Sequence, residues 1–375
     1  MLWLQWAFWV TVFLLFFTYA GYPLLLWGLV RVLRPKKTVL REQPPLSVSI
    51  VLVARNEEGR IAARLTNLLE GSPATLQELI VVLDGCTDST AQKVKQFADP
   101  RIRLVEQQPG KGKPAGLNTG IQAATGEVVM LCDARQRFES DTISRLVDWF
   151  QDPRTGAVSG TLEIERSLEG TGQGVDVYWR LEKGIRQLES TLDSSVGCSG
   201  AVYALRRSAF SPIPEDTILD DVVIPMQIAK KGFRVRFCPD ARAFDPQALS
   251  GSNEKKRKVR TLAGNFQLLF RYPNWTVPWG HRLWWKLILH KYLRLLGPVL
   301  MLVLLVVSVL LRGQVFYLLA LLAQLLIYAL SLLVWKIPSI RNRLCTILAG
   351  FVFLQVCIVQ GFLYWLTGRS ARGWK

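Results

Sequence analysis

Acidic residues follow three of the apolar runs in the first part of the chain. Asp84 ends the run ELIVVLD, Asp133 ends EVVMLCD, and Glu57 follows shortly after SIVLVA. A single aspartate at the end of a strand is commonly a turn residue, because its carboxylate hydrogen-bonds the nearby backbone. Three acids from separate segments favour a ligand site, since the carboxyl ends of parallel strands meet at one edge of a sheet.

A basic, glycine-rich loop lies between Asp84 and Asp133. In PGKGKPAGLN (109–118), lysines and glycines directly precede a predicted helix. A helix N-terminus with flexible glycines and a lysine suits an anion such as a diphosphate. The GxxxxGK[ST] spacing of a Walker A loop is absent, so a solvated basic loop is an equally good interpretation of this segment alone.

Alternating strands and helices position these side chains. Apolar, β-rich runs alternate with helical runs that have plausible caps. The predicted strands are 46–54, 78–84, 102–107 and 127–133, and the predicted helices are 57–71, 87–98 and 114–125. Repeated strand–helix units indicate an α/β fold, a parallel sheet with helices on both faces, within one soluble domain of residues 42–280.

Apolar segments at both ends of the chain predict a membrane protein. Residues 1–30 carry no charged side chain and exceed the roughly 20 residues that span a bilayer, so we interpret 1–33 as a retained transmembrane anchor. Basic residues within 31–41 follow directly, and the positive-inside rule then places the next domain in the cytoplasm. The C-terminal region 295–366 contains three further candidate spans, and a basic tail (367–375) follows it.

The segments around these spans differ in what they predict. Residues 281–296, HRLWWKLILHKYLRLL, combine basic, tryptophan and leucine residues, which is typical of an amphipathic helix in the membrane interface. Segments 295–311 and 315–335 form a predicted hairpin around Gly313. The segment 344–366 either crosses the membrane or is re-entrant, and the sequence does not distinguish these two topologies.

The formal net charge of +17 bears on the partners of the chain. Cationic clusters such as EKKRKVR (254–260) are compatible with nucleic acid, but a membrane enzyme that faces anionic lipid and a phosphorylated substrate explains them better. The six cysteines show no CxxC spacing and no neighbouring histidine. We therefore interpret them as reduced packing residues rather than metal ligands or disulfides.

Six segments together resemble a known family. VSIVLVARNEE, LIVVLDGCTDST, GKPAGLNTGI, GEVVMLCDA, GCSGAVYALRR and ILDDVVIPMQIAKKGFRVRFCPDARAF occur in an order and spacing that resembles the family 2 glycosyltransferases. The resemblance covers residues 46 to about 280, and the membrane layout is similar to that of membrane-anchored bacterial members. It implies a GT-A fold (a Rossmann-like nucleotide-sugar-binding fold), a nucleotide-sugar donor, a divalent metal (Mg²⁺ or Mn²⁺) and an inverting mechanism.

Matching positions in these segments imply roles for individual residues. Those of the nucleotide-sugar site are Ala54, Arg55, Glu57, Asp84, Lys113, Asp133 and Arg135. Among them, Asp84 would contact the base, usually uracil, Lys113 the diphosphate, and Asp133 the ribose or the metal. The pair Asp220 and Asp221 would supply the catalytic base, and the alignment of the motifs favours Asp221. A positioned carboxylate can accept the proton of the attacking acceptor hydroxyl.

One departure from the family pattern concerns the metal. Where the family usually has the second aspartate of its Asp-x-Asp motif, this chain has Arg135. The exchange removes one possible metal carboxylate and makes metal dependence less secure than the family implies. Two interpretations follow: Arg135 binds phosphate directly, or it pairs with Asp133 and impairs the site.

A second departure concerns the polymer acceptor. Processive members carry Gln-x-x-Arg-Trp where this chain has RKVRT, which keeps Arg260 but has Arg257 for the glutamine and Thr261 for the tryptophan. The flat tryptophan ring would hold a sugar of the growing polymer, so its loss puts processive synthesis in doubt.

The acceptor site has fewer sequence signals than the donor site. Its candidate residues are Tyr178, Trp179, Glu182, Arg257 and Arg260. The first three lie in YWRLEKGIRQLES, where aromatic and carboxylate side chains suit a sugar. An amphipathic packing helix with a charged face is an equally good interpretation of that segment.

These observations predict a multi-pass protein of the bacterial inner membrane with a cytoplasmic catalytic domain. It would transfer a sugar with inversion from a nucleotide-sugar, with a UDP-sugar as the expected donor, to a lipid-linked or polysaccharide acceptor. The alternatives are a processive polysaccharide synthase and a catalytically silent glycosyltransferase-like subunit, which Arg135 suggests. Nucleic acid is not an expected partner. A transporter is disfavoured, because the candidate spans contain no acidic residue.

Overall fold

The computed structural model describes residues 1–35, 44–164, 173–245, 251–337 and 342–368. The strands are β1 (Val48–Ala54), β2 (Leu76–Asp84), β3 (Ile102–Gln107), β4 (Val128–Cys132), β5 (Arg137–Phe138), β6 (Thr155–Ile164), β7 (Val202–Arg206) and β8 (Arg234–Asp245). The helices are α1 (Leu2–Phe16), α2 (Tyr22–Leu33), α3 (Ile61–Glu70), α4 (Thr90–Lys95), α5 (Lys113–Ala123), α6 (Thr142–Asp148), α7 (Gln173–Leu192), α8 (Asp220–Lys230), α9 (Gly251–Arg271), α10 (Trp284–Leu287), α11 (Leu293–Leu295), α12 (Gly297–Leu310), α13 (Val315–Lys336) and α14 (Arg343–Leu366). Single π-helical turns join α1 to α2 (Phe17–Gly21) and α10 to α11 (Ile288–Tyr292).

Eight strands form one mixed sheet in the order β3-β2-β1-β4-β7-β6-β8-β5. Strands β3, β2, β1 and β4 run parallel to one another, as the alternating pattern predicts. Strand β7 is antiparallel to β4 and to β6, β8 is parallel to β6, and the short β5 is antiparallel to β8. The prediction of a parallel sheet is therefore confirmed for the first four strands, and the second half of the sheet is mixed.

Helices cover both faces of the sheet, which explains why β1 is apolar throughout. All seven of its residues are buried, so the run VSIVLVA has no alternating polar positions. On one face, α5 and α8 contribute Leu117 and Val222 to the core. On the other face, α3 and α6 contribute Leu65 and Leu146. The α/β class predicted from the sequence is confirmed.

The strand register places two of the predicted acids at one edge of the sheet. Ala54 of β1 pairs with Leu83 of β2, and Leu52 of β1 pairs with Cys132 of β4. Asp84, the last residue of β2, and the residue after Cys132 therefore flank the end of β1. This is the carboxyl edge, where open parallel sheets bind their ligands.

Three helices of the described chain are long and apolar enough to cross a membrane. They are Leu2–Leu33, Val315–Lys336 and Leu344–Leu366, with 32, 22 and 23 residues. A fourth apolar stretch, Trp284–Leu295 followed by Gly297–Leu310, is bent by 57°. The predicted apolar helices at the N- and C-terminal ends are confirmed, and their topology in the membrane stays a prediction.

Both apolar ends are anchored to helices that belong to the sheet domain. Tyr22 of α2 packs against Ile185 of α7. Trp365, near the end of α14, stacks on Phe270 of α9, with ring centroids 4.6 Å apart. Ala263 of α9 is part of the core that covers the sheet. The end of α14 therefore packs against a helix of the sheet domain.

The predicted interfacial segment 281–296 is helical from Trp284 to Leu295. Its basic residues Lys286, His290 and Arg294 are buried within the protein. These three side chains therefore contact other parts of the protein, and the interfacial location of the segment stays a prediction. Other helices supply carboxylates and carbonyl groups that pair with them, which is the usual condition for burying charge.

Candidate active site

Lys113 lies among carboxylates at the carboxyl edge of the sheet. Its Nζ is 2.8 Å from Asp133 Oδ1 and 3.6 Å from Asp220 Oδ2. Asp133 follows β4, Lys113 begins α5, and Asp220 begins α8, so three separate elements position these groups. With the adjacent Asp221 they form what we name the sheet-edge cluster. The structure thus brings together residues that the sequence motifs predicted for one site.

The charges of the sheet-edge cluster shift one another's pKa. Burial alone would lower the pKa of Lys113, but the charges of Asp133, Asp220 and Asp221 raise it above its usual value. The ammonium group is therefore protonated at physiological pH. Burial raises the pKa of Asp220; Lys113 opposes this rise, and Asp221 and Asp133 add to it. A carboxylate with a raised pKa binds a proton more readily than an ordinary aspartate, as a general base must.

Asp221 is the more exposed of the two aspartates that begin α8. The segment before β7 passes beside it, and the Cys198 amide donates a hydrogen bond to the Asp221 carbonyl oxygen at 2.7 Å. A Cβ added to Gly200 would lie 3.5 Å from Asp221 Oδ2. Gly200 thus lies next to this carboxylate, and Asp221 is the more accessible of the two aspartates.

Asp84 is surrounded by backbone amides of the PGKGK loop. Its buried carboxylate accepts hydrogen bonds from the Lys111 amide at 2.6 Å and from the Gly112 amide at 2.9 Å. Gly85 has a φ of +64°, and a Cβ there would lie 2.7 Å from the Gly110 amide nitrogen. Asp84 thus holds the PGKGK loop against the end of β2. Its predicted contact with a base stays a prediction.

The loop after β1 lies beside the loop after β2. Asn56, with a left-handed φ of +53°, accepts a hydrogen bond from the Thr87 amide at 2.9 Å. The Glu57 carboxylate pairs with Arg60, three residues further on, at 3.2 Å. Ala54 is buried at the end of β1, and Arg55 is half-buried in the same loop. These residues line the predicted edge, and their contact with a nucleotide stays a prediction.

Arg135 pairs with Asp245 at the end of β8, and Asp245 is almost fully buried. Asp133, two residues before Arg135, pairs instead with Lys113. The interpretation that Arg135 pairs with Asp133 is therefore wrong. Asp245 gave no sequence signal, because its partner lies 110 residues away.

The acceptor candidates are placed at several different positions. Arg257 of α9 lies 3.9 Å from Asp245, the partner of Arg135. Arg260 is exposed on the same helix. Tyr178 and Trp179 belong to α7, and their side chains lie outside the described parts of the structure. Only Arg257 is thus connected to the sheet edge by a described contact.

Glu182, the remaining acceptor candidate, belongs to a second buried group of charges. We name Glu182, Glu189, His290 and Arg294 the helix-junction cluster. His290 lies 3.1 Å from Glu182 and 3.0 Å from Glu189, and Arg294 donates to Glu182 at 3.0 Å. Burial would raise the pKa of Glu182, but the charges of Lys291, His290 and Arg294 hold it well below its usual range. These contacts account for the burial of Glu182 within the protein, and its contact with an acceptor stays a prediction.

Arg64 is a supporting residue that the sequence reasoning missed. Its guanidinium lies over the Phe138 ring at 4.0 Å, and its Nε donates to the Asp133 carbonyl oxygen at 3.1 Å. The side chain is buried in α3, between the apolar residues Ile61 and Leu65. An arginine on an otherwise apolar helix face was the available signal, and the contact holds the backbone of Asp133 in place.

Tyr203 of β7 is a second residue that was missed. It is 1% exposed, and its hydroxyl has no hydrogen-bond partner among the described residues. Burial raises the pKa of the phenol well above its usual value, and the charges of Asp220 and Asp221 add to the rise. An unpaired buried hydroxyl next to carboxylates is costly to folding. Such a group is common where a ligand completes the hydrogen bonding.

The residues at the sheet edge do not fit a protein-held divalent metal. No group of three His, Cys, Asp or Glu side chains within the described ranges could hold a metal ion. Asp133, the predicted metal ligand, binds the Lys113 ammonium. The position of a second carboxylate holds Arg135, whose partner is Asp245. The donor set thus offers cations where a metal would need oxygen ligands.

The sheet order, the carboxyl-edge site and the covering helices define the GT-A class of glycosyltransferase folds. The same architecture is found in a solved mannosyltransferase, PcManGT from Pyrobaculum calidifontis, described in complex with GDP-Man and Mn²⁺. The two chains superpose with a TM-score of 0.74 over 97% of this chain and 99% of the other, at 23% identity. At this identity the similarity concerns the fold.

Residues 49–213 match the family model for glycosyl transferase family 2. The poly-beta-1,6-N-acetyl-D-glucosamine synthase of Staphylococcus aureus is 27% identical over 234 residues, which is 60% of this chain and 56% of the synthase. The synthase of the same name from Staphylococcus epidermidis is 24% identical over 232 residues, with the same coverage. The chain thus spans about half the length of these curated relatives.

Proposed function

We propose that this chain is an inverting glycosyltransferase that uses a nucleotide-sugar donor. The observation that carries the proposal is the sheet-edge cluster. Asp133, Asp220 and Asp221 surround Lys113 at the carboxyl edge of a family 2 domain. This arrangement places a carboxylate that can accept a proton near a fixed cation that can bind a phosphate.

Asp221 is the proposed general base. An acceptor hydroxyl approaches the anomeric carbon from the face opposite the nucleotide and loses its proton to the Asp221 carboxylate as the new bond forms. Attack from the opposite face inverts the anomeric configuration, in the same way that a carboxylate activates water in inverting glycosidases. Its exposure beside Gly200 supports Asp221 over the buried Asp220 for this role.

Lys113 is the proposed partner of the leaving nucleotide. Negative charge develops on the diphosphate as the bond to the sugar breaks, and a fixed ammonium stabilises that charge where it appears. Asp133 holds Lys113 from one side at 2.8 Å. Arg64 in turn holds the Asp133 backbone at 3.1 Å. The donor site is therefore organised before substrate binds.

The donor and the acceptor are proposed only by class. The motifs resemble those of proteins that use UDP-sugars, and we propose a UDP-sugar as the first donor to test. We propose a lipid-linked or glycan acceptor at the bacterial inner membrane, with the sheet domain in the cytoplasm. The three apolar helices and the basic residues after the first of them support this location.

A processive polysaccharide synthase is the second candidate. The Staphylococcus synthases are named for a polymer, which supports this alternative. Arg257 and Thr261 occupy the positions where processive members carry glutamine and tryptophan, and this difference disfavours a processive synthase. Product length decides between the two: a ladder of products supports the synthase, and a single added sugar supports the simple transferase.

Nucleotide release tests the proposed function directly. The full chain, purified in detergent with native lipid, is offered UDP-, GDP- and dTDP-sugars, with Mg²⁺, Mn²⁺ or EDTA. We expect release from one donor, its loss in Asp221→Asn, and its retention in Asp240→Asn, which changes an exposed aspartate of β8. No release from any donor in the presence of acceptor lipids would favour a catalytically silent subunit.

A further inference from the structure

The sheet edge contains two cations whose neighbours hold them in place. Lys113 is 14% exposed and contacts Asp133 and Asp220, which are the described carboxylates nearest to its ammonium. An ammonium carries three hydrogen-bond donors on a compact charge, so it can bind two carboxylates and still donate to a phosphate. Lys113 therefore occupies the place between carboxylates that a bridging cation would take.

Arg135 is the second of these cations. Its guanidinium is 23% exposed and pairs with Asp245, which is 2% exposed. A guanidinium has five N–H donors in a rigid fork, so donation to one Asp245 oxygen leaves other donors for a phosphate. Arg257 approaches the same Asp245 oxygen at 3.9 Å. Two arginines thus approach one buried carboxylate.

We propose that this chain binds the nucleoside diphosphate of its donor without a divalent cation, and that Lys113 and Arg135 supply the positive charge. The inference rests on the proposed function and concerns the same site. It follows from the two positions of the Asp-x-Asp motif, since a metal needs oxygen ligands: the second position carries Arg135, and Asp133 at the first position binds the Lys113 ammonium. Asp245 is then a positioning residue, since its buried charge orients Arg135.

Nucleotide binding tests this inference separately from activity. Calorimetry with the full chain in detergent measures the Kd of UDP and of GDP, once in EDTA and once in Mn²⁺. We expect the better nucleotide to bind with a Kd that changes by less than about threefold between the two conditions, because a tenfold change is the effect of one substantial interaction, about 1.4 kcal/mol. Binding in Mn²⁺ alone would overturn the inference and leave the proposed function intact.

Variants identify the cations. Lys113→Met should weaken binding in EDTA by about tenfold or more, the usual loss for one charge-assisted hydrogen bond. Lys113→Arg, which keeps the charge, should retain most of the affinity and so controls for folding. Lys95→Met, at an exposed lysine of α4, should bind like the unaltered chain. Equal affinity of Lys113→Met and the unaltered chain would overturn the role of Lys113.

A gain of metal dependence is the sharpest version of the test. Arg135→Asp together with Asp245→Asn restores the second carboxylate and removes the buried charge that would lose its partner. We expect this double variant to bind the nucleotide about tenfold more tightly in Mn²⁺ than in EDTA, like other sites with paired carboxylates. Absence of this change, in a variant that melts normally, would contradict the role of Arg135. Failure of the unaltered chain to bind either nucleotide under both conditions would overturn this inference and the proposed donor site together.

Discussion

Two buried groups of charges lie in different parts of this molecule, and they are satisfied to different degrees. In the helix-junction cluster, both Glu189 oxygens accept hydrogen bonds, from Tyr22 and His290 on one side and from the Val196 amide on the other. In the sheet-edge cluster, Asp220 Oδ2 is buried without a hydrogen bond from any described residue. Burial of charge is common to both clusters, and only the second leaves groups that a ligand can complete.

The difference is physical and bears on function. A buried ion pair whose members all have partners contributes a defined geometry, and removal of one partner leaves a costly unpaired charge. The helix-junction cluster joins α2, α7 and the helical segment 284–295, so it fixes the apolar N-terminal helix to the sheet domain. A cluster with unsatisfied groups lowers stability and is retained where chemistry needs it. We therefore expect substitutions in the two clusters to have opposite effects on activity and stability.

The largest expected effect is on the rate of sugar transfer. Asp221→Asn removes the proposed general base, and we expect kcat to fall by about a factor of 10³, within the usual range for such a group. The melting temperature should stay within a few degrees of that of the unaltered chain, because Asp221 is partly exposed. Steady-state kinetics and a thermal melt in detergent check both expectations. If Asp221→Asn instead lost much stability and kept its kcat, the sheet-edge cluster would be structural rather than catalytic.

The next effect is on stability. Glu182→Ala removes the partner of His290 and Arg294, and we expect a loss of about 3 to 5 kcal/mol in the free energy of unfolding, as for other broken buried ion pairs. Thermal or denaturant unfolding in detergent measures this loss. Glu70→Ala, at an exposed residue of α3, is the control and should change stability by less than about 0.5 kcal/mol. If folded Glu182→Ala protein loses transfer activity at saturating donor, Glu182 contacts the acceptor after all.

The dependence of stability on pH should have opposite signs in the two clusters. The folded-state pKa of Glu182 lies below its usual value of 4.5, so its contribution is present above the unfolded pKa and is lost as the pH falls through the folded pKa. The folded-state pKa of Asp220 is raised above 3.8, so its contribution is present below that value and is lost as the pH rises through the folded pKa. Asp220→Asn should therefore stabilise the chain at pH 7, because the amide has no charge for burial and the neighbouring carboxylates to disfavour.

Melting curves between pH 4 and pH 8 check these signs. The stabilising effect of Asp220→Asn should shrink as the pH falls through the raised pKa of Asp220, because the native carboxyl group then becomes protonated in the folded chain. The destabilising effect of Glu182→Gln should shrink only when the pH falls below the usual glutamate pKa, since the native carboxylate is ionised above it. If the stability of the two variants depended on pH in the same way, the two clusters would not differ in the sign of their pKa shifts.

The smallest expected effect is on stability and comes from the removal of a single hydroxyl, that of Tyr203 in the sheet. Tyr203→Phe removes a buried group that has no hydrogen-bond partner in the described chain, so we expect stability to be unchanged or to rise by up to about 1 kcal/mol. Tyr292→Phe is a matched control, because its buried hydroxyl also has no described partner but lies away from the sheet edge. A raised KM for the donor or acceptor in Tyr203→Phe alone would mean that the hydroxyl completes its hydrogen bonding with substrate.

The donor side of the site was largely predictable from the sequence. The continuous apolar runs could form only buried strands, and their parallel pairing places Asp84 and Asp133 at one edge. The motif order further predicted that Lys113, Asp220 and Asp221 belong to the same site, and the structure places the Lys113 ammonium 2.8 Å from Asp133 and 3.6 Å from Asp220. Which oxygen accepts which hydrogen bond was not predictable, and Asp84 proved to bind the PGKGK loop.

The sequence by itself determined the elements of this protein, because hydrophobic periodicity and turn residues act over a few neighbouring positions. It also determined that charged side chains gather at the ends of the strands. Only the tertiary structure decided the partners of Arg135 and Glu182. Arg135 meets Asp245, and Glu182 meets His290, each across more than 100 residues of chain. Such pairs form because a buried charge must find a counter-charge wherever folding brings one, and no local pattern records that meeting.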